Sequence, residues 1–454
     1  MKNRTMKMGA FVMAGALSLC ALSACGSNTA GGDEGHVYFL SGKPEVVDQF
    51  QTLADEYGKE TGVDVEFQSA TAGDYESTLS SELAKSNPPT MFILGGFDHF
   101  AKFKDYLLPL QDSEEYSLLN DEGKANALKE GDDVYSLPFV AEWYGIIYNK
   151  KIIREYASKD YAVIDSDKDI VNYDTLKSVM DDIQKHKDDL GLDGAVASPG
   201  LDPSDDYRFR AHMSRLPIFY EYKDAGVTFE PEIKGTYLDN YKSLFDTEVN
   251  DSPTQASMLS TKTYEDVTSE FSLGKVAFYP NGVWAYSQIK GNDVDDKDLG
   301  MLPYYMGIPG EEDYGPGSAY DNAFAINKKA SKKDQEASLA FIKWMVSSDK
   351  GRESLSKDMG FSVPFTTFDN DKYQPDNPLT KESRAYEKEG KPSVTGFTQP
   401  GQAWRDGIAA ALVEYVQGTG DWSGVKKAFV GGWKTEWQNY KTKMGMVPQA
   451  QKFE

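Results

Sequence analysis

Apolar and polar positions change period along the chain, and each change marks an element. His36 to Leu40 reads as a strand, and Ser41-Gly42-Lys43-Pro44 breaks it; Pro44 suits the first turn of a helix. Val46, Phe50, Leu53 and Tyr57 then recur at helical spacing until Thr61-Gly62. Val63, Val65 and Phe67 alternate as a second strand, Tyr75, Leu79 and Leu83 mark a second helix, and Met91 to Leu94 is a third strand ending at Gly95-Gly96. Strand, helix, strand, helix, strand implies a parallel sheet covered by helices. Gly145 to Asn149 and Leu299 to Leu302 read as later strands. The late stripes Ile408, Ala411, Leu412, Tyr415 and Val425, Phe429, Trp433, Trp437 read as helical core.

One stretch carries candidate chemistry. Val276 to Tyr279 reads as a short buried strand, which Pro280-Asn281-Gly282 is expected to stop in a tight turn with positive φ. Trp284 and Tyr286 then begin a helix ending near Lys290. A strand that stops at a helix N-terminus places side chains at the mouth of an α/β sheet, where such folds bind ligands. An indole there offers a flat apolar face, and the turn's free N–H groups offer hydrogen bonds. A sugar ring needs both. Ordinary core packing of Trp284 is the alternative.

Composition bounds the partners. The 454 residues suit two domains plus a targeting segment. A net charge of −24 disfavours nucleic acid and anionic membrane surfaces. Both cysteines, Cys20 and Cys25, lie at the N-terminus, so the body has no disulfide framework, thiol nucleophile or cysteine metal site. The histidines His36, His99, His186 and His212 show no metal-ligand spacing, and neither metal nor cofactor is expected. Asp165-Ser166-Asp167-Lys168-Asp169 begins like a calcium loop, but Ile170 and Leu176 stand where the loop needs Gly and Glu.

Lys2, Arg4 and Lys7 precede the apolar run Met8 to Leu22, which is short for a transmembrane helix and right for a signal segment. Leu22-Ser23-Ala24-Cys25 has the lipobox pattern, so residues 1–24 are expected to be removed and Cys25 acylated. Residues 25–35 are read as a flexible tether to the membrane.

Gly274-Lys275-Val276-Ala277-Phe278-Tyr279-Pro280-Asn281-Gly282-Val283-Trp284-Ala285 resembles a signature of the family 1 extracellular solute-binding proteins, the maltose-binding-protein-like sugar receptors of ABC importers. Val283 departs from it, since the family often has Pro there. Leu137-Pro138 through Glu142 to Tyr148-Asn149-Lys150 resembles the family's first crossing between lobes. Ser318 to Lys328 resembles its second, and Gly360 to Pro364 its G-x-x-P segment.

The resemblance implies a two-lobe periplasmic-binding-protein type II fold, each lobe a mixed, mainly parallel sheet flanked by helices. Residues 36–142 and 320–345 are expected in the first lobe, and 143–319 and 346–454 in the second. It implies ligand contacts from Trp284 and Trp404 as stacking platforms. Asp98, His99, Glu142 and Trp143 would supply polar or aromatic contacts, Asn281 and Tyr286 would flank the Trp284 platform, and Asp321 would lie by the hinge. Arg210 and His212 on the aromatic helix Tyr207 to Tyr222 are further candidates. Asp98 as a helix cap and Glu142 as a hinge salt bridge stand as alternatives. The implied function is oligosaccharide capture by a monomeric lipoprotein that delivers it to an ABC permease. A secreted glycoside hydrolase using Asp98 and Glu142 as its carboxyl pair, or a receptor for a non-sugar solute, are the rival readings.

Overall fold

The computed structural model describes residues 35–70, 74–395, 397–445 and 447–453. The signal segment, Cys25 and all of the tether except Gly35 lie outside them. The strands, in chain order, are β1 (His36–Ser41), β2 (Asp64–Ser69), β3 (Met91–Leu94), β4 (Lys129–Glu130), β5 (Asp133–Val134), β6 (Leu137–Pro138), β7 (Glu142–Asn149), β8 (Phe278–Gly282), β9 (Leu299–Leu302), β10 (Gly317–Ala319) and β11 (Ala323–Ile326). The first helices are α1 (Val47–Thr61), α2 (Tyr75–Leu83) and α3 (Phe97–Phe103).

The first lobe is built on the order β2-β1-β3-β11-β6, with β1 parallel to β2 and β3, and β11 antiparallel to β3 and β6. The period-two strand and 3.6-period helix patterns both turn their apolar faces to one core. α1 contributes Phe50, Leu53, Ala54 and Tyr57 and ends at Gly62, whose φ of 82° lets its N–H reach Gly58 O at 2.9 Å. Phe139 stacks on Phe324 at 4.1 Å between ring centres, joining the sheet edge to β11.

In the second lobe β7 is central: β8, β9 and β10 all pair with it, and all antiparallel. The mainly parallel sheet expected here is therefore corrected. The chain reaches these strands by long excursions and returns beside β7 from the opposite direction. A second correction concerns the turn. Pro280-Asn281-Gly282 does not stop the strand; it continues β8 against Ile146, Gly145 and Tyr144. Gly282 has φ −115°, ordinary extended backbone. It is needed for space: a Cβ there would fall 2.1 Å from the Trp284 ring.

The chain passes between lobes at Phe139–Ala141, between β6 and β7, and at Tyr320–Asn322, between β10 and β11. The third passage, expected after residue 345, lies further along the chain. Leu355, Met359, Phe361, Phe365, Phe368 and Tyr373 pack in the first core, and Leu379 belongs to the second lobe's packing. The segment assigned to the second lobe from residue 346 thus stays in the first until about Tyr373. Its buried aromatics fill the space under helix Lys332–Ser347, which itself packs on β1. No helix among the described residues is long and apolar enough to cross a membrane.

Candidate functional site

A cleft of about 940 Å³ opens between the lobes. α3 sets one wall, because β3 ends at Gly95-Gly96 and releases Phe97, Asp98 and His99 at its tip. The opposite wall comes from Tyr207, Arg210 and Arg215, and from Phe397, Gln399, Gln402 and Arg405. Ser318, Tyr320 and Asp321 line it from the second crossing.

The cleft's cations are matched by carboxylates. Arg405 Nη2 donates to Asp98 Oδ2 at 2.9 Å, from one lobe to the other. Arg215 Nη2 donates to Asp321 Oδ2 at 2.7 Å. Arg210 Nε donates to Asp206 Oδ1 at 2.6 Å, and its Nη1 to Asp406 Oδ1 at 3.2 Å. Burial works against ionised Asp98, but Arg405 and then His99 overcome it and hold its pKa below the usual carboxylate range. Glu76, Asp98 and His99 place ligand atoms within 4.8 Å of one another, close enough to bracket a cation. Each is already engaged, Glu76 by Lys102, Asp98 by Arg405, and His99 Nδ1 by the Gly95 N–H at 3.1 Å. The trio is an ion-pair network and a poor metal cage. Phe97, Tyr207, Tyr320 and Phe397 are partly buried rings along the cleft, the sizes and exposures that stacking requires.

Of the expected contacts, Asp98, His99, Arg210 and Asp321 line the cleft, and the others do not. Trp404 is 1% exposed, its Nε1 donates to Phe429 O at 2.8 Å, and its ring packs edge-on against Phe429 and Trp433. It lies four residues before Ile408 and eight before Leu412, on the stripe already read as core. Gln402 and Arg405 occupy the other face of the same turn. Trp284 folds back over Gly282 and sits at a small crevice by the hinge with Val140, Glu142 and Phe361. Asn281 is fully buried and bonds Gly282 N, and the Tyr286 hydroxyl is committed to Asp296 at 2.8 Å.

Glu142 adopts the hinge role. It accepts from Lys43 Nζ of the first lobe at 3.0 Å and from Asn322 Nδ2 of the second crossing at 3.0 Å. Burial would lower the Lys43 pKa, and Glu142 and Glu45 more than reverse it, so Lys43 stays charged. Asp98 and Glu142 therefore do not face one another as a hydrolytic pair. Trp143 lies one layer behind the cleft, with Nε1 donating to Glu387 at 3.3 Å and Ser393 at 3.2 Å; both acceptor residues do line it. His212 stacks on Tyr144 at 4.4 Å, and burial, then Arg215 and Arg208, push its pKa well down, leaving it neutral.

Two lobes, joined by repeated crossings and holding a polar, aromatic-edged cleft between them, define the architecture of a solute-binding protein. Residues 52–380 match the family described as bacterial extracellular solute-binding protein, and the chain belongs to that family. Its members bind solutes outside the cytoplasm and are not enzymes. The maltotriose-binding protein of Pyrococcus abyssi is 26% identical over 325 residues, 70% of this chain and 64% of that protein, so the match spans less than two thirds of that relative. The GacH receptor of Streptomyces glaucescens, solved unliganded and with acarbose, has TM-score 0.65 at 19% identity, covering 91% of this chain and 100% of that one. Maltose-bound MalE3 of T. maritima has TM-score 0.65 at 15% identity, covering 88% and 99%.

Proposed function

We propose that this protein captures a neutral oligosaccharide in the interlobe cleft and delivers it, chemically intact, to an ABC permease. The carrying observation is the charge pattern of the cleft. Arg210, Arg215 and Arg405 are each already paired with carboxylates, which leaves hydrogen-bonding capacity but little net charge for an ionic ligand. A hydroxyl both donates and accepts, so it can join such pairs at low cost. Partly buried rings at Phe97, Tyr207, Tyr320 and Phe397 supply faces for the C–H surface of a sugar.

The sugar contacts residues of both lobes, so it binds the closed arrangement more tightly and shifts the population towards it. Asp98, His99, Arg210 and Asp321 are the contacts carried over from the motif reading. The indoles expected to stack give way to the four smaller rings. Receptors for maltotriose, acarbose and maltose among its relatives and structural neighbours support the ligand class.

Cys25, following Leu22-Ser23-Ala24, carries the lipid that holds the monomeric receptor on the outer side of the cell membrane. Titration calorimetry with maltotriose, acarbose and raffinose tests the ligand class: saturable binding without new reducing ends is expected. Binding of none, or turnover of any, ends the proposal. Labelling with a palmitate analogue, lost in Cys25→Ala, checks the anchor.

A further inference from the structure

One side chain packs against the cores of both lobes. Phe97, at the tip of α3, rests on the first-lobe core and on the larger second-lobe core, and among the described residues no other apolar side chain does so. Its first-lobe neighbour is Phe100, at 6.0 Å between ring centres. Its second-lobe neighbours are Trp437 and Tyr440, at 6.1 and 6.4 Å. Both stand on the helix Gly432–Met444, three residues apart and so on one face. Their own rings meet at 5.4 Å, which makes a single aromatic platform. Trp437 is buried and Tyr440 partly buried, and neither belongs to the described residues that line the cleft. The next residue of α3, Asp98, receives Arg405 Nη2 at 2.9 Å from the helix Gln402–Val416. Tyr440 leans on the start of that helix, where a Cβ on Gly401 would fall 2.6 Å from its hydroxyl.

An aromatic contact and an ion pair thus dock the tip of α3 on two helices of the other lobe. Every group in this contact belongs to the chain, so it asks nothing of a ligand. Parting the lobes would return the Phe97 and Tyr440 faces to water, which apolar surface opposes. We propose that Tyr440 is a positioning residue: with Trp437 it clasps Phe97, and so favours the closed arrangement before a sugar arrives. The clasp itself stands on these contacts alone, and its effect on affinity rests on the sugar reading above. A receptor whose binding-competent state is populated only in part holds every ligand more weakly by the same factor. Tyr440 therefore sets the affinity for all sugars together, whereas a residue that touches the ligand sets it for each sugar separately.

The test is Tyr440→Ala, followed by small-angle X-ray scattering and by calorimetry with maltotriose, acarbose and raffinose. Without sugar, the variant is expected to have a larger radius of gyration than the wild type; saturated with sugar, the two should match. Each sugar that binds the wild type should bind the variant about 3- to 10-fold more weakly, and by one common factor. Tyr440→Gln, which keeps a good helix former at the position, gives the same readouts if the alanine variant does not fold. Failure of both to fold would make Tyr440 a core residue and overturn the proposal. Equal radii without sugar overturn the clasp, as do unchanged affinities or losses that differ from sugar to sugar, and in each case the sugar reading stands. If the wild type binds none of the three, the sugar reading fails, and the scattering comparison still decides the clasp.

Discussion

The two lobes solve the same packing problem with different materials. The first is held by hydrocarbon. Phe39, Phe50, Phe67, Phe139 and Phe324 form one connected set of rings, and its strands and helices meet the core with regular apolar faces. The second buries charge throughout. Arg208 pairs with Asp205 with both side chains fully buried, and Lys262 pairs with Glu270 at 2.7 Å. Glu311 gathers the N–H groups of Tyr173, Met306, Gly307 and Ile308. Buried ion pairs add little net stability over apolar packing, but they penalise every arrangement that separates them. The lesson is a division of labour. One half is a plain scaffold that presents α3, and the other fixes a polar wall of Arg210, Arg215 and Gln399 in place.

The comparison is broken most directly by removing one member of each kind. Phe324→Ala in the first lobe should cost about 3–5 kcal/mol through lost burial and the cavity left behind. Asp205→Ala should cost a similar 3–5 kcal/mol for another reason, an unpaired buried guanidinium. The distinguishing measurement is the double variant Asp205→Ala/Arg208→Met in urea denaturation. It should be more stable than Asp205→Ala alone. Equal or lower stability would show that the second lobe's charges are not held by pairing.

Trp404→Ala belongs to the same size class, with about 3–5 kcal/mol lost from stability and little change in sugar affinity of the protein that remains folded. A large affinity loss at unchanged stability would return that indole to the ligand site. The contrast also explains what could be read from the chain alone. The first lobe's order was legible because Val46-Phe50-Leu53-Tyr57 and Val63-Val65-Phe67 have clean periods. The crossings were legible because their motifs are local, and the first site wall because Asp98 follows its strand directly. The second wall was harder. Gln402 and Arg405 share a turn with Trp404, and only the position of the buried stripe tells which face meets the cleft. Gln399, and the passage near Tyr373, depend on long-range packing that no local pattern records.

The interlobe pair sharpens the comparison at the cleft itself. Arg405→Gln should weaken sugar binding by about 1.5–3 kcal/mol, the range for a hydrogen bond to a charged group, and should also lower stability, because buried Asp98 loses its cation. Among the described residues, Arg405 is the one second-lobe cation whose paired carboxylate, Asp98, belongs to the first lobe's α3, so closure and its bond are linked. Unchanged calorimetric affinity would confine this pair to surface decoration.

The last effect is the dependence of stability on pH, and its sign differs between Asp98 in the first lobe and Asp206 and Asp251 in the second. In the second lobe, burial outweighs Arg210 and raises Asp206 to about 6, and burial with Asp181 raises Asp251 to about 7. Both bind protons more tightly folded than unfolded, where the ordinary value is 3.8. The folded state therefore gains relative to the unfolded one as pH falls from 7.5 towards 5. Asp98 in the first lobe has the opposite shift, so its contribution persists above its ordinary value and is lost only as pH falls through its lower folded value. Six tryptophans pack with the second lobe and only Trp344 with the first, so tryptophan fluorescence reports mainly on the second. Its urea midpoint should rise between pH 7.5 and 5. The rise should shrink in Asp206→Asn, which cannot ionise. A midpoint that falls over this range would mean that the second lobe's carboxylates are stabilised as anions, and that its interior is more like a wet surface than a dry core.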